Sequence, residues 1–189
     1  MLQSRIQSRS SNPALVRVAT IVLFAALTAL TARITIYLPF TPVPMTLQVM
    51  IVLLAGLTLG AKDGALSQLA YVAAIALGLP VDANGLGTAA FASPTAGYLV
   101  GFIAGAFVAG YLVERGLNRN RAWRFFASLA GVGAIYFIGT AWLTVGCLGG
   151  DAAKGFTLGV APFIVIDLIK AVIASAATAG ARLWLNGSR

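Results

Sequence analysis

GFTLGVAPFIVIDLIKAVIASAATAGAR, residues 155–182, decides how this chain is read. From Gly155 through Ala181 only Asp167 and Lys170 carry charge, three positions apart. A bilayer core is crossed by roughly 20 predominantly apolar residues, so this stretch is long enough to span one. An acid and a base inside such a segment are costly unless paired or hydrated, and ionisable groups there mark candidate functional sites.

The rest of the chain fits the same solvent. Of 189 residues, 59% are hydrophobic and only 10% charged, and the mean hydropathy is +0.91. A soluble domain carries about a quarter charged residues, so this chain cannot cover its own surface with polar groups. Composition therefore predicts an integral membrane protein with one compact helical domain. The basic balance, 13 Lys and Arg against 5 Asp and Glu, sits at the ends of apolar runs. It reads as topology signal and contact with membrane lipid headgroups, not as a nucleic-acid surface. The single cysteine, Cys147, excludes an intrachain disulfide, and the absence of histidine removes His-based metal sites and His-dependent catalysis. No small-residue cleavage site closes the first apolar run, so that run is read as retained.

Gly and Pro punctuation divides the chain into six predicted spans: about 15–38, 46–60, 65–79, 94–113, 125–148 and 159–182. The expected fold is all-α, a single transmembrane domain over 1–189 in which residues 1–14 form a polar cytoplasmic N-terminus. Arg5, Arg9, Arg17, Lys62, Arg115, Arg119, Arg121, Arg124, Arg182 and Arg189 fall on one side of these spans; Lys154, with Arg33 near the end of the first, falls on the other. The excess of Lys and Arg marks the cytoplasmic side. Both termini are therefore expected in the cytoplasm, with the loops 39–45, 80–93 and 149–158 outside.

On a helix, positions i and i+3 lie about 60° apart, so Asp167 and Lys170 share one face with Phe163, Ala171 and Ala174. In a continuous sixth span Asp167 lies about 12 Å from the outer end. Read structurally, the pair neutralises itself, acid before base as the helix dipole prefers. Read functionally, it opens a polar site. Gln48 lies just inside the second span, Asn84 in the ANG turn of PVDANGLG, and Tyr71 and Tyr98 in the third and fourth spans. Each has a plain alternative, a turn residue for Asn84 and core or interfacial aromatics for the tyrosines. Asp82 and Asp151 read as solvated loop acids. Taken together, acid, base, amides, hydroxyls and apolar walls suit a small ligand with an apolar body and several hydrogen-bonding groups. They do not suit an ion pore, which would repeat polar rings along its path. No G-x-x-x-x-G-K-[ST], H-E-x-x-H or G-x-S-x-G occurs, so no P-loop ATP site is expected in this chain, and no cofactor or metal. Uphill transport would need an ion gradient or another subunit.

Three segments carry a resemblance: PFTPVPMTLQ (39–48), GLPVDANG with SPTAGYLVGF (78–102), and GVAPFIVIDLIKAV (159–172). In order and spacing they resemble BioY, the biotin-specific substrate-binding component of energy-coupling factor transporters. The sequence departs from that pattern in a glycine-poor loop, TAAFAS, and in Ile166 before the acid. The resemblance implies six helices in a prokaryotic-type plasma membrane and an outward-facing biotin site. It also implies partnership with a transmembrane coupling protein and two cytoplasmic ATPases. By the same resemblance Asp167 and Lys170 bind ligand, with Asn84, Gln48 and Tyr98 as candidates for the remaining polar contacts and Tyr71 beside them. Ala25 and Ala29, an A-x-x-x-A pair in the first span, resemble the patch such components use against the coupling protein; ordinary packing within the bundle is the alternative. Two other readings stay open: a component for another vitamin such as thiamine or riboflavin, and an intramembrane enzyme using Asp167 and Lys170 as acid–base groups. The second lacks a nucleophile or metal site.

Overall fold

The computed structural model describes residues 12–116 and 120–187, with side chains through Ala179. The N-terminal residues 1–11, Arg119, Arg189 and the side chain of Arg182 lie outside what it describes. Among the described residues seven α-helices follow one another: α1 (Pro13–Thr31), α2 (Gln48–Leu59), α3 (Ala61–Ala76), α4 (Ala96–Arg115), α5 (Arg121–Trp142), α6 (Ala152–Gly159) and α7 (Ile164–Gly187). A short antiparallel pair, β1 (Thr35–Ile36) and β2 (Met45–Thr46), joins α1 to α2 with Thr35 opposite Thr46. Among the described residues four segments are long and apolar enough to cross a membrane: Pro13–Thr31, Ala96–Arg115, Arg121–Cys147 and Ala152–Ala179.

Local chemistry sets the helix ends. The Asn12 side chain accepts from the Leu15 N–H at 3.2 Å with Pro13 at the first helical position, and Asn120 accepts from the Trp123 N–H at 2.8 Å. Asp151 caps α6 by accepting from the Lys154 N–H at 3.0 Å, a bond that holds its carboxyl below the usual carboxylate range. Gly60, at φ 91°, turns the chain between α2 and α3 in a conformation that favours glycine.

The observed helices revise the sequence expectation at two places. The apolar run from Leu15 to Leu38 does not stay helical: α1 stops at Thr31, and the following residues pair as β1 with β2 across a hairpin containing Pro39, Pro42 and Pro44. These prolines lack the N–H groups a helix needs, and they bias their predecessors toward extended backbone. The second place follows α5: the expected outer loop 149–158 is helical from Ala152, forming α6, and the expected span 159–182 opens with a 3₁₀ turn over Ala161–Phe163, with Pro162 at its start, before α7 begins. Asp167 therefore stands in the first turn of α7 and not two turns inside a continuous helix. There the positive end of the helix dipole favours a carboxylate.

Small residues bring the helices close. A Cβ added at Gly97 would fall 2.4 Å from the Trp142 Cβ, and one at Gly105 would fall 2.6 Å from Ile135. This is how α4 and α5 pack along each other. α1 lies against α2 and α3, while α7 lies against α2 and α5. Large apolar side chains such as Val22, Phe137, Val165 and Ile169 point outward, as lipid-facing surface requires.

Candidate functional site

The break before α7 places Asp167 and Lys170 at one end of the bundle, beside β2 and the start of α2. Both side chains are buried, and the Lys170 Nζ lies 2.7 Å from the Asp167 Oδ1. The pair has two further partners. The Tyr136 hydroxyl donates to the Asp167 Oδ2 at 2.7 Å, and Lys170 donates to the Thr46 carbonyl at 2.6 Å. A carboxylate offers about four acceptor positions and an ammonium three donors. With these bonds made, Asp167 retains two acceptor positions and Lys170 one N–H donor.

That remaining capacity borders a cavity with about 580 Å³ of empty space, including its opening to solvent. Asp167, Lys170, Gln48, Tyr98, Tyr136 and Thr95 supply its polar lining. Val43, Leu99, Phe102, Ile135 and Phe163 supply an apolar wall. Phe163, Ala171 and Ala174, expected on the face of the charged pair, are all buried.

Not every expected residue reaches the cavity. Asn84 is exposed; its backbone N–H donates to the Asp82 Oδ2 at 3.1 Å, and its neighbours Asp82 and Ala83 form the wall instead. Tyr71 is buried one layer back, where its hydroxyl accepts from the Gln48 Nε2 at 2.7 Å and donates to the Val81 carbonyl at 3.2 Å. The Tyr98 ring lines the cavity while its hydroxyl donates to the Gly159 carbonyl at 2.8 Å, bracing the break between α6 and α7. Ala25 and Ala29 are half-buried and pack against the core of the bundle, whereas Val18, Val22 and Leu30 occupy the exposed face of α1.

Asp82 corrects the expectation of a solvated loop acid. It is 1% exposed, and its carboxylate accepts from the backbone N–H groups of Asn84 and Gly87. An Asp two residues before a turn can replace a missing backbone acceptor in this way, and the DANG spelling carries that signal. Asp82→Ala should therefore destabilise the protein by about 1–3 kcal/mol by stranding a buried N–H. A thermal unfolding series in detergent, wild type beside variant, measures this. Tyr136, bonded to Asp167, is a contact that the sequence analysis does not single out. Its only hint is a hydroxyl in the middle of the apolar run GAIYFIG.

Among the described residues no group of three or more His, Cys, Asp or Glu side chains could hold a metal ion. The fold matches a solved structure, the S-component for biotin from an ECF-type ABC transporter, with a TM-score of 0.83 and 27% identity over 92% of this chain and 94% of that one. The biotin transporter BioY of Thermotoga maritima is 43% identical over 81% of this chain and 88% of its own length. The biotin transporter BioY of Rhizobium etli is 44% identical over 81% and 86%. Transporter relatives and four long apolar segments together make this a multi-pass membrane protein and not an enzyme. The model of the BioY family matches residues 4–186, which takes in the hairpin, the 80–93 loop and the Asp167–Lys170 pair alike, and the chain belongs to that family.

Proposed function

We propose that this chain is the membrane-embedded substrate-binding component of a biotin uptake transporter. One observation carries the reading. The buried pair retains two acceptor positions and one donor beside an apolar cavity, and a ureido ring presents two N–H donors and one carbonyl acceptor. The fused rings and aliphatic tail of biotin suit the wall of Phe102, Ile135 and Phe163. Gln48 and Tyr98 complete the polar lining, with Asn84 and Tyr71 supporting it from the loop and from behind Gln48. α2 and α3 supply two further crossings beside the four long segments, giving six spans with both termini in the cytoplasm. The cavity end then faces outward from the plasma membrane. Energy comes from a coupling protein and from two cytoplasmic ATPases, while Ala25 and Ala29 serve packing within the bundle; this chain binds no ATP and needs no cofactor.

Gentle purification followed by mass spectrometry of the released ligand tests the reading. Biotin should be recovered, bound without ATP, and the protein alone should hydrolyse none. A different vitamin in the cavity, or ATPase activity intrinsic to the chain, overturns it. Orientation is tested by cysteine labelling of intact cells in a Cys147→Ala background. Leu86→Cys should label from outside and Arg119→Cys should not; the reverse pattern refutes the topology.

A further inference from the structure

The hydrogen bonds around the cavity form one continuous chain. The Tyr71 hydroxyl accepts from the Gln48 Nε2 at 2.7 Å, and the Gln48 Oε1 accepts from the Thr46 Oγ1 at 3.2 Å. The backbone carbonyl of the same Thr46 accepts from Lys170 at 2.6 Å, and Lys170 bonds Asp167 at 2.7 Å. Asp167 in turn accepts from Tyr136. The path joins α3, α2, β2, α7 and α5, and each polar atom along it is buried or half-buried.

The inner links leave Gln48 little to offer a ligand. One Nε2 proton goes to Tyr71 at 2.7 Å, the Thr28 carbonyl stands 3.4 Å from the same nitrogen, and the Oε1 is engaged by Thr46. Thr46 belongs to a strand of only two residues, where it stands opposite Thr35 and its Oγ1 also accepts from the Gln48 backbone N–H at 3.3 Å. A lysine side chain has four rotatable carbons, and its ammonium goes where its acceptors stand. We infer that Tyr71 is a positioning residue for ligand recognition: through Gln48 and Thr46 it fixes the carbonyl that aims the Lys170 ammonium into the cavity, without itself touching the ligand. Thr28 and Gln68, whose side chains bond at 3.2 Å, buttress Gln48 from the α1 side.

The inference rests on the proposed function, with biotin as the ligand. Its test is a double-mutant cycle read as the biotin dissociation constant by calorimetry in detergent. Tyr71→Phe keeps the ring and removes the hydroxyl. In the wild-type background it should weaken binding about three- to tenfold, the worth of one hydrogen bond. In a Lys170→Met background the same change should have no effect, because the ammonium it aims is gone. Gln48→Met cuts the path one link nearer and should show the same dependence on Lys170, so the test survives if either variant folds poorly. Ile75→Val, one turn along α3 and fully buried, controls for general loosening and should leave affinity unchanged. Equal losses in both backgrounds, or a matching loss in Ile75→Val, overturn the positioning role while biotin binding by the wild type stands. A wild type that binds no biotin overturns the positioning role and the proposed function together.

Discussion

On the proposed function, Lys170→Met is expected to weaken biotin binding by about ten- to a hundredfold, and Asp167→Asn to do the same. Each charge-assisted hydrogen bond contributes about 1.5–3 kcal/mol, and each 1.4 kcal/mol is a tenfold change in affinity. The lysine supplies the one donor left over after Thr46 and Asp167 are satisfied, and the acid supplies the two free acceptor positions. Neither is replaced by a neighbour, since Gln48 is already committed to Tyr71 and Thr46, and Tyr136 to Asp167. The two variants also cost stability, by different routes. Lys170→Met leaves a buried carboxylate with Tyr136 as its remaining side-chain partner, and breaking a buried pair this way costs about 3–5 kcal/mol. Asp167→Asn leaves a buried ammonium bonded to the Thr46 carbonyl. Affinity is therefore measured by calorimetry on protein whose fold has been checked by thermal unfolding. A variant that loses stability yet binds biotin at wild-type strength would make the pair purely structural.

Gly56→Val should be at least as damaging to the fold, with no charge involved. A Cβ at Gly56 would lie 2.3 Å from the Ala106 carbonyl oxygen and 3.1 Å from the Gly110 nitrogen, both of them backbone atoms that cannot swing aside. The opposing contact is equally tight, since a Cβ at Gly110 would fall 2.5 Å from the Ala61 nitrogen. The valine forces α2 and α4 apart. Overpacking costs about 1–3 kcal/mol even where side chains can adjust; here backbone must move, and a loss of about 3 kcal/mol or more is expected. Because α2 carries Gln48 and α4 carries Tyr98, the separation also widens the cavity. Comparing unfolding midpoints of Gly56→Val and Gly133→Ala isolates the effect, since nothing lies within 4 Å of a Cβ at Gly133. Equal midpoints would mean that the helices do not depend on that approach.

Much of this arrangement is legible in the sequence, for definite reasons. Lipid leaves few ways to place an acid and a base three residues apart, so Asp167 and Lys170 stand out from composition alone. Gln48 and Tyr98 stand out in the same way, as polar groups in apolar runs. The break at Pro162 is written in the sequence too, but hydropathy does not register it, because the residues on both sides are equally apolar. For the same reason the end of α1 at Thr31 is hidden within a run that continues to Leu38. Asp82 is buried and Asn84 exposed, which the sequence does not distinguish: a turn is read as a cluster of turn-forming residues, whereas which side chain points inward depends on backbone geometry at Gly85 and Gly87, both at positive φ. That Tyr136 and the Thr46 carbonyl are the pair's partners is not written in the sequence. They lie 31 and 124 residues from the groups they bond, and a backbone carbonyl has no letter.

The proposed function requires that Asp167 and Lys170 grip biotin, and do not only neutralise each other. The measurement that separates these is the affinity of the double variant Asp167→Asn with Lys170→Met, set beside both single variants. Removing both charges together relieves the solvation problem that either single change creates, so stability should recover in part. Biotin binding should not: the double variant should bind at least as weakly as the weaker single, because the ureido donors and carbonyl have lost their partners. Recovery of near-wild-type biotin affinity in the double variant would contradict the claim, and would reduce the pair to a device for holding α7 within the bundle.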